Sequence, residues 1–127
     1  MNAFSPANLL APLQINASSY KLYLKTSQLA ADFPAQRFAF MDVAPGNICT
    51  PGFGVDMFLV NIIHYPSSLH SRLGVVSFAD SHVESHKWLD PRTNPALPGG
   101  TQYIGHNNPV LNNNDIKWIA ERTTSRR

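Results

Sequence analysis

Apolar and polar positions along this chain alternate in short stretches, each closed by a proline, glycine or asparagine, rather than in long helical runs. The clearest case is the pair GVVSFA (Gly74 to Ala79) and HVESHKW (His82 to Trp88), which flanks Asp80-Ser81. That spacing predicts a hairpin with a two-residue turn. Ala79 then faces His82, Phe78 faces Val83, Ser77 faces Glu84, Val76 faces Ser85 and Val75 faces His86. In that register Phe78, Val76 and Val83 share a face that can pack on a core, and His82, Glu84, His86, Ser77 and Ala79 share the polar one. Ser81 would need a positive φ, which glycine adopts without the ~1 kcal/mol that a side chain costs.

Other segments give weaker patterns. SSYKLYLKTSQLAA, from Ser18 to Ala31, fits both a helical spacing and the alternation of a strand. RFAFMDV, from Arg37 to Val43, has the aromatic and β-branched content of a strand and stops at Pro45-Gly46. DMFLVNIIHY, from Asp56 to Tyr65, is a continuous apolar run, suited to a strand covered on both faces or to a short helix. Asp90 to Asn114 is rich in turn formers and too long for a plain connection, so it is either ordered against the body or a binding loop. The chain closes with a helix, DIKWIAERT, capped by Asn113 or Asn114. Asp115 sits near its positive end, Arg122 near its negative end, Lys117 four residues before Glu121, and Ile116, Ile119 and Ala120 form the apolar stripe. Residues 1–17 show no period and read as an irregular entry segment before a single domain, 18–127.

Composition narrows the class. With 127 residues, 43% hydrophobic and 14% charged, the chain can bury a core without metal or disulfide staples. Ten prolines argue for a loop-rich, partly β architecture. The net charge of +2 owes much to Arg122, Arg126 and Arg127 in the tail, and it makes no basic stripe with interleaved aromatics, so nucleic acid is not an expected partner. Cys49 is the single cysteine, which precludes an internal disulfide and reads as a bystander thiol in a Gly/Pro-rich loop. The N-terminus shows no signal-peptide pattern, and no segment approaches the ~20 apolar residues of a membrane span.

His82, Glu84 and His86 are the candidate chemistry, ligand-type side chains at alternate positions of one strand. They stand ~7 Å apart along it, so one ion could usually meet only two, and a polar or inter-subunit face is the simpler reading. No nucleophile elbow, HExxH or phosphate loop is present. Trp88 and Trp118 read as core anchors before sugar-stacking platforms.

HSRLGVVSFADSHVESHKW resembles the C-terminal signature of pseudopilin-like proteins of the prepilin-type cleavage and methylation family. That signature is a histidine, nine residues, then Asp-Gly, and here His70 precedes Asp80 by nine residues, with Ser81 in place of the glycine. FAFMDVAPG, GFGVDM, FADSHVESHKWLDPRT and NNNDIKWIAERTT follow in the order of the body of such proteins, over roughly residues 20–124. The family's apolar spine helix is absent from this chain, so the resemblance implies the head region alone. It further implies a structural role in a type II secretion or pilus-like assembly in the periplasm or cell envelope, and no known reaction. Partners would be other pseudopilin-like subunits or secretion components, with a homo-oligomer possible. His70 and Asp80 then read as a loop-tying hydrogen bond before a ligand or catalytic pair. Related major pseudopilins bind calcium, for which Asp42 could join Asp80, although the binding-loop pattern is not evident.

The expected fold is α+β, an antiparallel sheet centred on the hairpin with the C-terminal helix packed nearby, a pilin-like head without its spine. The expected function is a structural or interaction module, with no catalysis and no cofactor. The alternatives are a small metal- or carbohydrate-binding domain, with zinc or calcium held by His82, His86, Asp42 and Asp80, and a hydrolase that uses His70, His82 or His86.

Overall fold

The computed structural model describes residues 19–48, 52–94 and 105–127. The entry segment 1–17, Cys49 and the middle of the Asp90–Asn114 connection lie outside the described residues. The architecture is α+β. A three-stranded antiparallel sheet is ordered β1 (Phe38–Met41), β3 (Leu73–Phe78), β4 (Val83–Lys87), and a two-stranded ladder joins β2 (Asn61–Ile62) to β5 (Asn108–Pro109). Helix α1 (Thr26–Ala30) is one short turn, and α2 (Asn114–Thr123) is the C-terminal helix.

The hairpin forms where its sequence places it, but one residue out of the two-residue register. Leu73 pairs with Lys87, Gly74 with His86, Val75 with Ser85, Val76 with Glu84 and Ser77 with Val83. The loop has three residues, Ala79-Asp80-Ser81. Ser81 donates its amide to Phe78 O at 3.0 Å, Phe78 donates to His82 O at 2.9 Å, and Ser81 has φ 79°. This is the three-residue hairpin loop with a left-handed last residue. A slip of one residue exchanges the faces of a strand. The histidine row therefore shares its side with Val76 and Phe78, and Val75, Ser77, Val83, Ser85 and Lys87 share the other. The expected pairing of Ser77 with Glu84 and of Val75 with His86 is corrected accordingly.

Strand β1 carries its own irregularity. Phe38 pairs with Phe78, Phe40 with Ser77 and Met41 with Val76, so Ala39 and Phe40 together oppose one residue. This bulge turns Phe38, fully buried, and Met41 inward while Phe40 stays 66% exposed on the outer side. Beyond it the chain continues as a ladder, with Ser67 N donating to Asp42 O at 2.7 Å and Ala44 N to Tyr65 O at 2.8 Å.

Asp56 to Tyr65 is neither one covered strand nor a helix. The Asp56 carboxylate accepts the amides of Phe58, Val60 and Asn61, and Leu59 takes φ 61°, so the apolar run folds into a turn with Phe58 exposed. Its second half, Ile62 to Tyr65, is buried, and from the first half Leu59 packs partly buried against the core. The ambiguous stretch 18–31 divides likewise: Tyr20 pairs as a strand would with Arg126, and Thr26–Ala30 is helical.

The core gathers Phe38, Phe53, Ile62, Tyr65, Val76, Phe78, Trp88, Val110, Ile116 and Ile119. Trp88 crosses the sheet over Gly74, where a Cβ would stand 2.7 Å from its ring, and donates Nε1 to Ser67 O at 2.9 Å. Glycine in mid-strand is the cost of that close approach. Asn113 caps α2, its Oδ1 accepting the amides of Asp115 and Ile116. The buried Asp115 carboxylate reaches back to the amides of Leu89 at 3.0 Å and Asp90 at 2.8 Å, which fastens the helix start to the end of β4.

Glycine at the left-handed loop position relieves a strain that serine carries, so Ser81→Gly should stabilise the domain by about 0.5–1 kcal/mol. Urea unfolding measures it, and no gain would mean that the Ser81 side chain makes a contact worth as much as the strain.

Candidate functional site

Within one strand, β4, His82, Glu84 and His86 stand on one side, as alternation requires, but each ring is engaged by different neighbours. His82 Nδ1 lies 2.5 Å from Asp80 Oδ1, the His82 amide donates to the same oxygen at 3.2 Å, and the ring stacks on Phe78 at 4.3 Å. The His82 ring and amide beside Asp80 hold its carboxyl below the usual carboxylate range. His86 stacks on Trp118 at 3.8 Å between ring centroids and leans on Trp88 at 4.7 Å. Burial lowers its pKa, with Arg122 adding to this and Asp115 and Glu84 opposing.

The residues do not converge. Four residue steps along the strand separate His82 from His86, roughly 13 Å. His70 is at the far end of β3 from Asp80, in a turn whose central residues Ser71 and Arg72 both have positive φ. The five steps from Leu73 to Phe78 alone hold His70 and Asp80 roughly 17 Å apart. The loop tie expected from His70 is made by His82 instead. Asp42, at the opposite end of the β1–β3 ladder, does not join Asp80 either. Among the described residues no group of three or more His, Cys, Asp or Glu side chains is placed to hold a metal ion.

The Trp118 ring is stacked by His86, and the Arg122 guanidinium carbon stands 4.2 Å from its centroid. Trp88 is fully buried. As for hydrolysis, the Asp80–His82 pair has the orientation of a base with its carboxylate, but Ser77, whose buried hydroxyl has no partner among the described residues, is on the opposite side of the sheet.

A second pair of histidines was missed in the sequence because its members are 42 positions apart. His64 and His106 meet edge to face at 4.9 Å, with His64 Nδ1 accepting the Gly54 amide and His106 Nδ1 against Ile63 O at 2.9 Å. Gly54 permits this, since a Cβ there would lie 3.0 Å from His64 Nδ1. Burial, helped by His106, pushes the His64 pKa down to about 4. The adjoining void among Phe53, Asn61, His64 and Ile116 is about 10 Å³, room for one water and no substrate. Both histidines pack on one another and meet backbone groups of the surrounding fold.

Two outcomes follow from these surroundings. A histidine buried in its neutral form stabilises the fold fully above its unfolded pKa near 6.5, and that contribution is lost as pH falls toward about 4. His64→Asn, which keeps an acceptor for Gly54 but cannot titrate, should therefore lose less stability than the wild type between pH 7 and pH 4, by on the order of 2–3 kcal/mol. Urea unfolding at both pH values reads the difference, and equal losses would refute the assignment. His86→Ala should cost about 1–2 kcal/mol through lost packing on Trp118, more than His82→Ala, which removes an exposed ring. Melting with chelator and then with excess zinc should be the same for wild type and both variants; a zinc-dependent rise confined to the wild type would establish a metal site.

Compared with known proteins, the chain matches no family model, no curated protein and no solved structure.

Proposed function

We propose that this chain is a structural or interaction module of the pseudopilin-like kind, working by contact between subunits rather than by catalysis. The observation that carries the reading is the outer side of the three-stranded sheet. Phe40, Val75 and Val83, one from each strand, are 66%, 42% and 61% exposed on it. Ser77 and Ser85 share that side with them, and large apolar side chains left in water on one sheet face suit a protein contact better than a chemical site. The resemblance of the ordered motifs over roughly residues 20–124 points to the same reading. Partners would be other pseudopilin-like subunits or secretion components in the cell envelope, and no cofactor is assigned.

A photo-crosslinking residue at Phe40 or Val75, introduced into the protein in its host cells, should trap a pilin-like subunit identified by mass spectrometry, whereas the same residue at the exposed Lys117 on α2 should not. Equal trapping at Lys117, or adducts only with glycan, would overturn the reading.

A further inference from the structure

We infer that two copies of this chain pair through the open edge of β4 to form one six-stranded antiparallel sheet. The inference rests on the interaction-module reading above and names the partner as a second copy. Phe78 pairs with His82 and Arg72 with Trp88 through backbone hydrogen bonds. By alternation it is His82, Glu84, His86 and Trp88 that bond to β3, and the amides and carbonyls of Val83, Ser85 and Lys87 point away from the sheet. Among the described residues these outward groups meet no strand, because β4 is the last in the order. All of β4 except His86 is exposed.

Side-chain pairing selects the register. An antiparallel match centred on Ser85 pairs Ser85 with its copy and Val83 with Lys87 of the other chain, and it uses every outward amide. It also sets Glu84 opposite His86 of the second copy, twice, on the core side of the sheet, where a ring N–H of the imidazole can meet the carboxylate directly across the pair. Sliding the copies by two residues one way sets Glu84 against Glu84, and the other way sets His86 against His86, with fewer hydrogen bonds in each case. The favoured arrangement is isologous, as a two-fold dimer requires. It also sets the two outer faces side by side, so that Phe40, Val75 and Val83 of both copies lie on one side of the six-stranded sheet. A five-residue edge buries less than the ~1,200 Å² at the low end of stable interfaces, so the pair should be weak, dissociating in the range of roughly 10–1,000 µM.

The test is sedimentation equilibrium of the 127-residue chain up to about 1 mM, with three variants in a Cys49→Ser background. Ser85→Pro removes one outward amide at an edge position where proline is tolerated, and it should weaken association at least about tenfold with little change in melting temperature. Glu84→Lys, which removes the carboxylate that a His86 ring N–H would meet, should weaken it similarly and serves if Ser85→Pro fails to fold. Ser85→Cys should form an intermolecular disulfide under mild oxidation, since a hydrogen-bonded antiparallel pair places Cα atoms about 5.5 Å apart. A wild type that stays monomeric at 1 mM, or association untouched by Ser85→Pro and Glu84→Lys, overturns the inference. If Phe40→Lys alone abolishes association, the contact is the outer face and not the edge, and the interaction-module reading stands without this dimer.

Discussion

A carboxylate taken out of water has to recover its hydration from protein donors, and Asp32, 6% exposed, recovers it from four side chains. Lys21 Nζ, Arg37 Nε and Ser125 Oγ donate at 2.9, 3.2 and 2.7 Å, and the Tyr23 hydroxyl donates as well. Burial by itself would raise the Asp32 pKa, but the bonds from Tyr23, Lys21, Ser125 and Arg37 outweigh it and hold the carboxyl well below the usual range. The donors come from segments far apart in sequence. Arg37, at the entry to β1, also donates to Glu121 O at the end of α2, and its own carbonyl accepts the Ala79 amide at the hairpin loop. One anion thus ties the first described segment, the sheet, the hairpin tip and the last helix. Buried ion pairs add little net stability over apolar packing, yet losing one partner is expensive, so the cluster's contribution is to exclude other arrangements of these segments.

That constraint bears on which parts of the fold can be read from sequence. The hairpin and α2 could be, because their determinants are local: two β-rich runs around Asp80-Ser81, and an asparagine followed by a one-sided apolar stripe. Asn113 rather than Asn114 is the cap. The positive φ at Ser81 was legible too, although for a different turn. What was not legible is the loop length. Two- and three-residue loops both fit the flanking pattern, and the choice is settled by contacts outside the hairpin, including Phe78 against Phe38 and the Ala79–Arg37 bond. One residue of register then reversed the assignment of every side chain on β4.

Asp56 and Asp115 show a related limit. Each sits beside an apolar run, and each looks like a solvated charge in the sequence. In the fold Asp56 gathers three amides of its own turn, and Asp115 gathers two from the end of β4. A carboxylate that bonds backbone amides leaves no sequence pattern distinguishing it from one in water, since the partners are the same groups in every residue. The turn made by Asp56 is what kept Asp56–Tyr65 from being a strand, and no hydrophobic period could report it. His64 and Asp32 were missed for a comparable reason, as their partners are remote.

The corrected register also reassigns the two sides of the sheet. His82 and His86 no longer make a free polar face: they extend the aromatic layer of Phe78, Trp88 and Trp118 to the edge strand, where an imidazole can stack on one side and meet water or a carboxylate on the other. A neutral or charged ring tolerates that boundary better than a phenyl ring would. The opposite side exposes Phe40, Val75 and Val83 among Ser77, Ser85 and Lys87, and among the described residues the β4 edge beside it pairs with no strand. Soluble proteins usually blunt such edges with charge, twist or a covering loop. Here Lys87 is the one basic residue on β4, at its end, and the middle of the strand is serine and glutamate. Exposed apolar side chains beside an open edge are costly to keep in water, and assembly with another chain would relieve both costs at once.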